Sequence, residues 1–391
     1  MKKSFLIISA LMAAFQLHAQ DISSVLKQIE QNNLQLKAAG YEVKAQQLEL
    51  QTANNLPDPE VEYVYQWGST ATTGNETELT VTQAFDFPTA YAERSKYRKL
   101  QSQALDRGTQ QVAQSIKLQA AQLCIKIISL NQRKALLESI LENLQKQMEI
   151  AQKAEQGGNL EAWASSKLRM RMMGIEAELQ MNNASHAECL SQLFALNGGK
   201  NLEFTSAVYP ELPSVINDPN ALLDDYRAND AANLRMMDEL KAGEQKVKVA
   251  RAEGLPKMHL GYQRNTATGE SLNGVVGGLS IPLFSNRGKV KVAKAEQLSR
   301  QLQVQEEQLQ HEMGIWALFA KKNRLETALK KYDRSALMKQ HSLLDKSLEL
   351  REITILDYLT EIHQMLDIEL EAEKLEQEYQ QTCYELLKYR L

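Results

Sequence analysis

A mainly α-helical fold with a small β part is what this sequence predicts: duplicated long coiled-coil helical hairpins, each preceded by a short β-hairpin. Three observations lead there. Proline-free stretches of several dozen residues carry apolar side chains at three- and four-residue intervals, the rhythm of a coiled-coil seam. At Leu56-Pro57 and again at Leu255-Pro256 such a stretch stops, and apolar and polar residues alternate as in a strand. Beyond the first twenty residues nothing approaches the roughly eighteen consecutive apolar residues of a membrane-spanning helix.

The 391-residue chain opens MKKSFLIISALMAAFQLHAQ. Lys2 and Lys3, an apolar run from Phe5 to Phe15 and the small residue Ala19 read as a secretory signal peptide over residues 1–19, absent from the mature protein. The run is about half of what a spanning helix needs. Its loss removes Lys2 and Lys3 and no acid, leaving 43 basic residues against 49 acidic ones and a net charge of −6. Nothing in that balance points to nucleic acid. Cys124, Cys189 and Cys383 are an odd number with no close pair, which argues against a disulfide framework, and none follows the cleavage point to carry a lipid anchor.

The first repeat is expected over residues 20–196. Helix-like "NNLQLKAAGYEVKAQQLELQTANN" leads into a β-hairpin at 60–87, with strands Glu60 to Gln66 and Leu79 to Phe87. A long helix follows, its stripe made by Val112, Ile116, Leu123, Ile127, Leu130, Leu137, Leu141, Leu144 and Met148. From Ala104 to Gln156 it would run ~80 Å. Its tip is expected near 157–159, because Gly157, Gly158 and Asn159 tolerate positive φ and end the helix. Residues 197–229, with Asn197-Gly198-Gly199, Pro210, Pro213 and Pro219, read as a linker.

The second repeat, 230–391, runs in the same order. "NDAANLRMMDELKAGEQKVKVARAEG" leads into a hairpin at 257–284, with strands Met258 to Gln263 and Val275 to Leu283. Leu298, Leu302, Leu309, Met313, Trp316 and Ala320 begin a second stripe, and Leu359, Ile362, Leu366 and Leu370 a third. The tip is expected near 351–355, where Arg351, Glu352, Ile353 and Thr354 precede β-branched Ile355. Trp163 and Tyr358, and Cys189 and Cys383, match across the halves at offsets of 195 and 194. A repeat of that length is a tandem duplication, not a solenoid of ~20–50-residue units.

In an exported protein, four alternating strands of ~8–10 residues are long enough to cross a bilayer when tilted, and without spanning helices only a closed barrel satisfies backbone groups in lipid. Val61, Tyr63, Tyr65, Trp67, Leu79, Val81, Phe85 and Phe87 would face lipid, with Glu62, Gln66, Thr80 and Thr82 turned inward; Val275, Gly277, Leu279 and Ile281 repeat the pattern more weakly. Since the smallest such barrels have ~8 strands, the barrel must be shared between chains.

No catalytic constellation stands out, so no enzyme and no cofactor is expected: the histidines lack HExxH spacing, and there is no GxSxG and no phosphate-binding glycine loop. "RMRMM", Met170 to Met173, and Met236-Met237 read as packing before they read as a soft-metal path, and Lys/Glu runs such as "ELEAEKLEQE" as the solvated side of a coiled coil.

The chain resembles the TolC-like outer-membrane efflux proteins over essentially its whole mature length. The resemblance rests on the duplication, on "IEQNNLQL", on each Leu-Pro junction between helix and strand, and on "GLSIPLFSNRGKVKVAKAE" after the second hairpin. "LPDPEVEY" and "QAFDFP" lean toward its cation-efflux branch. What the resemblance implies is a homotrimer with a twelve-stranded β-barrel in the outer membrane and an α-helical barrel across the periplasm. It would be the passive exit duct of a tripartite efflux system, docked through its tips to a periplasmic adaptor (membrane fusion) protein and an inner-membrane pump of the RND type, with metal cations, drugs and peptides all open as cargoes. It also implies an aspartate pair at the periplasmic entrance; in "ITILDYLTEI" Asp357 falls on the first position, and Thr360 stands where the second is expected. The chain ends directly after its last helix, leaving little sequence for an equatorial domain. The alternatives are a periplasmic adaptor, which should show one helical hairpin between lipoyl-like segments, and a structural or adhesive coiled coil, which would not need four short strands in matched places.

Overall fold

The computed structural model describes residues 21–69, 74–156, 162–267, 270–350 and 352–391. The expected signal peptide and the tip residues Gly157, Gly158, Asn159 and Arg351 lie outside the described residues. Helices α1 (Ile22–Asn32) and α2 (Leu34–Thr52) precede strands β1 (Glu60–Gln66) and β2 (Glu76–Phe85), followed by α3 (Pro88–Gln156) and α4 (Ala162–Leu196). A 3-10 turn (Ser214–Asn217) and α5 (Pro219–Asn229) lead to α6 (Ala231–Ala252), β3 (Lys257–Ala267), β4 (Glu270–Ser280), α7 (Lys289–Leu329), α8 (Arg334–Glu349) and α9 (Ile355–Leu386). Among the described residues no helix is long and apolar enough to cross a membrane.

Two compact units each draw on both halves of the sequence: one is Met1–Lys37, Val112–Tyr226 and Glu312–Leu391, the other Ala38–Gln111 and Arg227–His311. In the first, the stripe of α3 packs inward as expected. Ile116, Leu123 and Ile127 are buried with Val25 and Ile29 of α1 and Cys189 and Leu193 of α4, while Leu137, Leu144 and Met148 are buried with Leu168 and Ile175 of α4 and Tyr358, Ile362 and Leu366 of α9. Between Ala120 and Ile128 the helix is covered on nearly every side, so Cys124, Ile125 and Ile128 are buried too. All three cysteines are free and buried.

The stretch expected to be a plain linker carries α5, whose Leu222, Leu223 and Tyr226 pack on Ile315, Leu386 and Tyr389, with Arg390 Nε donating to Asp225 Oδ2 at 2.6 Å. In the turn after α4, Gly198 and Gly199 have φ of +66° and +75°, and a Cβ on Gly198 would meet the Asn32 carbonyl oxygen at 2.5 Å.

Two helix breaks were not foreseen. Asn33 leaves helical geometry at ψ 125° and its side chain accepts from Leu36 N at 2.8 Å, ending α1 and capping α2. Asp333, in extended geometry, accepts from Ala336 N at 3.1 Å and separates α7 from α8, because a short carboxylate competes with the helix for its own backbone. The tips are therefore not the only breaks in the long helices. The α7 stripe also differs from expectation: Leu298, Leu302, Leu309, Met313 and Trp316 are exposed, not sealed within the chain.

In the second unit, hydrogen bonds set a row of four helices. Gln47 of α2 donates to Asp106 of α3 at 2.8 Å, Arg94 of α3 to Glu253 after α6 at 3.1 Å, and Lys246 of α6 pairs with Glu296 of α7 at 2.8 Å. The four strands form one antiparallel sheet in the order β1-β2-β3-β4, so the two hairpins join through β2 and β3, and β1 and β4 are open edges.

Both boundaries of β2, β3 and β4 shift. β2 starts at Glu76 and ends at Phe85, and Phe87 is not a strand residue: its carbonyl accepts from Ala90 N at 2.8 Å in the turn that opens α3, with Pro88 next. β4 ends at Ser280, before Pro282, which has no N–H for a ladder. Much of the stretch between the two expected strands, 264–274, is ladder, since Thr266 pairs with Ser271 and Ala267 with Glu270. Trp67 lies one residue past β1.

Candidate functional site

Side chains directly opposite one another in a ladder share a face. β1 pairs Val61 with Val81 and Tyr63 with Leu79; β2 pairs Val81 with Tyr262 and Phe85 with Met258; β3 pairs Tyr262 with Val275, Leu260 with Gly277 and Met258 with Leu279. Every strand residue expected to be lipid-facing thus falls in one register-linked set, joined by Met258, Leu260 and Tyr262. The opposite face takes Glu60, Glu62, Gln66, Glu76, Glu78, Thr80, Thr82, His259, Gln263, Asn265 and Glu270, with Val64, Leu272 and Val276 the large apolar residues among them.

The two faces differ in kind. Val275 is 86% exposed and Trp67 81%, and Val61, Tyr63, Leu260 and Leu279 are exposed as well. Tyr65 and Trp67 pack edge to face at 5.3 Å between centroids, while Asn75 Nδ2 donates to Tyr65 Oη at 2.6 Å. Polar residues share this face toward the hairpin ends, with Thr77, Arg264, Thr266, Ser271 and Asn273 in its register, and Gln83 within it donates to the Pro57 carbonyl at 2.7 Å. On the polar face amides meet carboxylates: Asn265 Nδ2 donates to Glu76 Oε1 at 2.7 Å and Gln263 Nε2 to Glu78 Oε1.

Where strands meet helices, Asp86 ties the pieces together. Its carboxylate takes Arg94 Nη1 at 2.7 Å and Lys257 Nζ at 3.0 Å, and its N–H donates to Tyr91 Oη at 3.0 Å. Burial alone would push its pKa up, but the Lys257 and Arg94 hydrogen bonds and charges outweigh that and hold it below the usual carboxylate range. Sequence reading missed this residue, although the Asp86-Phe87-Pro88 turn marks its place.

At the start of α9, Thr354 and Asp357 form a reciprocal cap. Asp357 N donates to Thr354 Oγ1 at 3.2 Å, and Thr354 N and Oγ1 lie 3.2 and 2.6 Å from Asp357 Oδ2. Asp357 and Thr360 are both exposed one helical turn apart, with Thr360 Oγ1 donating to the Leu356 carbonyl at 2.9 Å. Of the expected tip residues, Glu352 and Thr354 are exposed, whereas Ile353 packs on the core around Tyr358.

Beneath this turn lies a polar knot the sequence did not reveal. Tyr358, fully buried, donates its hydroxyl to Asp345 Oδ1 at 2.8 Å; Asn143 Nδ2 donates to the same oxygen at 2.9 Å, and His341 Nδ1 is 3.3 Å from Oδ2. Burial, then the neighbouring Asp345, pushes the Tyr358 pKa up. The spacing of His341 and Asp345, four apart on one helix, was the available signal.

Among the described residues no three His, Cys, Asp or Glu side chains come together as a metal site. Met172 packs on the core and Met236 is buried, while Met170 and Met173 are exposed.

A four-stranded antiparallel sheet of two hairpins together with long helical hairpins is the TolC-like fold of outer-membrane efflux channels. No protein-family model and no curated protein matches the sequence. Solved structures do. The chain is similar to the CmeC outer membrane channel of Campylobacter jejuni, at 13% identity and a TM-score of 0.74 over 95% of this chain and 85% of that one. It is similar to the outer membrane protein VceC of Vibrio cholerae, at 16% and 0.70 over 94% of each, and to a membrane protein from Pseudomonas aeruginosa, at 14% and 0.77 over 94% and 89%. At these identities the likeness is one of fold.

Proposed function

We propose that the chain is the outer-membrane exit duct of a tripartite efflux system. Three copies close a twelve-stranded barrel, and their helices continue it into the periplasm as a passive conduit. The observation that carries the proposal is the two-faced sheet with open edges. An exposed apolar face backed by a polar one suits a barrel wall between lipid and water, and unpaired backbone on β1 and β4 must be satisfied in lipid by neighbouring copies. The outer helices of the row agree: Tyr41 and Leu48 on α2 and Leu298, Leu302 and Leu309 on α7 are exposed apolar residues that a neighbouring copy would cover.

In this reading residues 1–19 direct export and are cleaved, and the halves 20–196 and 230–391 descend from one duplicated unit. The tips, Gly157, Gly158 and Asn159 with Arg351, Glu352 and Thr354, dock a periplasmic adaptor that links the duct to an RND-type pump. Asp357 and Thr360 line the periplasmic entrance. Five glutamates, at 60, 62, 76, 78 and 270, share the polar strand face with Lys257, which favours cations as cargo.

Fractionation tests the core of this. The mature protein should extract with the outer membrane and run as a trimer that dissociates on heating; a soluble periplasmic monomer would contradict it.

A further inference from the structure

The strand–helix junction holds a groove of about 850 Å³, walled by the end of α2, the first turns of α3, the last turns of α6 and the start of α7. Its acids are already committed. Asp86 is held by Arg94 and Lys257, Glu253 by Arg94, and Glu296 by Lys246 at 2.8 Å. Its cations are not: Arg98, Arg287 and Lys289 also line it, and none has an ion-pair partner among the described residues. Arg98 is half-buried, so part of its hydration is already lost, and α7 begins here at Lys289 with the positive end of its dipole.

The groove opens at the foot of the polar face. Phe85 pairs with Met258, so Asp86 and Lys257, next along the ladder and 3.0 Å apart, continue the row of Ala84 with His259 and Thr82 with Gly261. Solute passing along that face would move from acidic strands to a zone where cations are in excess.

We propose that this groove is a binding station for a soluble phosphate-bearing polyanion, with Arg98 and Arg287 as its principal ligands and Lys289 supporting them. The proposal rests on the duct reading only for the claim that the groove faces the lumen. Guanidinium groups bind phosphate oxygens through paired N–H donors, and spare donors beside neutralised acids are what such a ligand requires.

Isothermal titration of the detergent-solubilised full chain with inorganic tripolyphosphate at low salt should show binding. It should weaken about 10-fold or more in Arg98→Gln and in Arg287→Gln, and Arg98→Lys should recover part of it. No binding by the wild type, or wild-type affinity in both glutamine variants, overturns the proposal. So does binding of short-chain phosphatidylglycerol without binding of tripolyphosphate, which would make the site a lipid contact. In planar bilayers tripolyphosphate should block the wild-type channel and spare Arg98→Gln. Binding in the titration with no conductance in the bilayer would leave the groove standing and sink the duct.

Discussion

Tyr358→Phe isolates one hydrogen bond at the most buried polar point beneath the helical turn. The ring stays, so no cavity forms; what goes is a hydroxyl donating to a carboxylate at 2.8 Å. Hydrogen bonds to charged groups contribute about 1.5–3 kcal/mol. Asp345 keeps Asn143 and His341, and its side chain is 35% exposed, so water replaces part of the loss and the lower end, about 1.5 kcal/mol, applies. Asp345→Ala should cost more, about 2–4 kcal/mol, because it strands a hydroxyl that water cannot reach together with the Asn143 amide. With both changes the stranded hydroxyl is gone, so the double variant should be more stable than the sum of the singles implies, by about 1–2 kcal/mol. Urea unfolding of the detergent-solubilised chain, with hydrogen exchange read on α8 and α9, measures all three. A Tyr358→Phe variant as stable as the wild type, or strict additivity, would refute the reasoning.

Asp86 sets an acid limit. Its folded-state pKa lies below the ordinary 3.8, so its stabilisation is complete above about pH 4 and lost as pH falls from there toward the folded value. Unfolding curves between pH 4 and 3 should steepen in the wild type and not in Asp86→Asn; parallel curves would count against the network. Thr354→Ala should cost about 1 kcal/mol of α9 stability through the lost cap but keep the cation selectivity of reconstituted channels. Asp357→Ala should lose that selectivity and Asp367→Ala should not, by reversal potential in a planar bilayer; unchanged selectivity in Asp357→Ala leaves Asp357 a capping residue only. Gly158→Trp should leave export and trimer intact and abolish efflux in cells, and normal efflux in that variant removes the tips from the docking surface.

What the sequence conveyed was local. Alternation at Val61, Tyr63 and Tyr65 shows at period two, and the α3 stripe at three- and four-residue spacing, because each reports its own element's exposure. β1 was therefore read to the residue. β3 and β4 were read short, since Arg264, Asn265 and the glycines of β4 break the alternation while the ladder continues. Contacts between distant residues were illegible: Asp86 with Lys257, Asp345 with Asn143, and α5 with Tyr389 depend on elements far apart in the chain. The α7 stripe misled in a useful way. Its periodicity was real, but it says only that something covers Leu298 and Leu302, and a single chain does not.

The central claim is that one sheet face meets lipid and the other lines a water-filled lumen. Single cysteines at Tyr63, Tyr262 and Val275, and at Glu62, Thr80 and Gln263, test it directly in membranes. The first three should react with a lipid-soluble maleimide and resist a charged one, and the second three should do the reverse. Uniform labelling by the charged reagent would contradict a membrane barrel, and an inverted pattern would contradict the assignment of its faces.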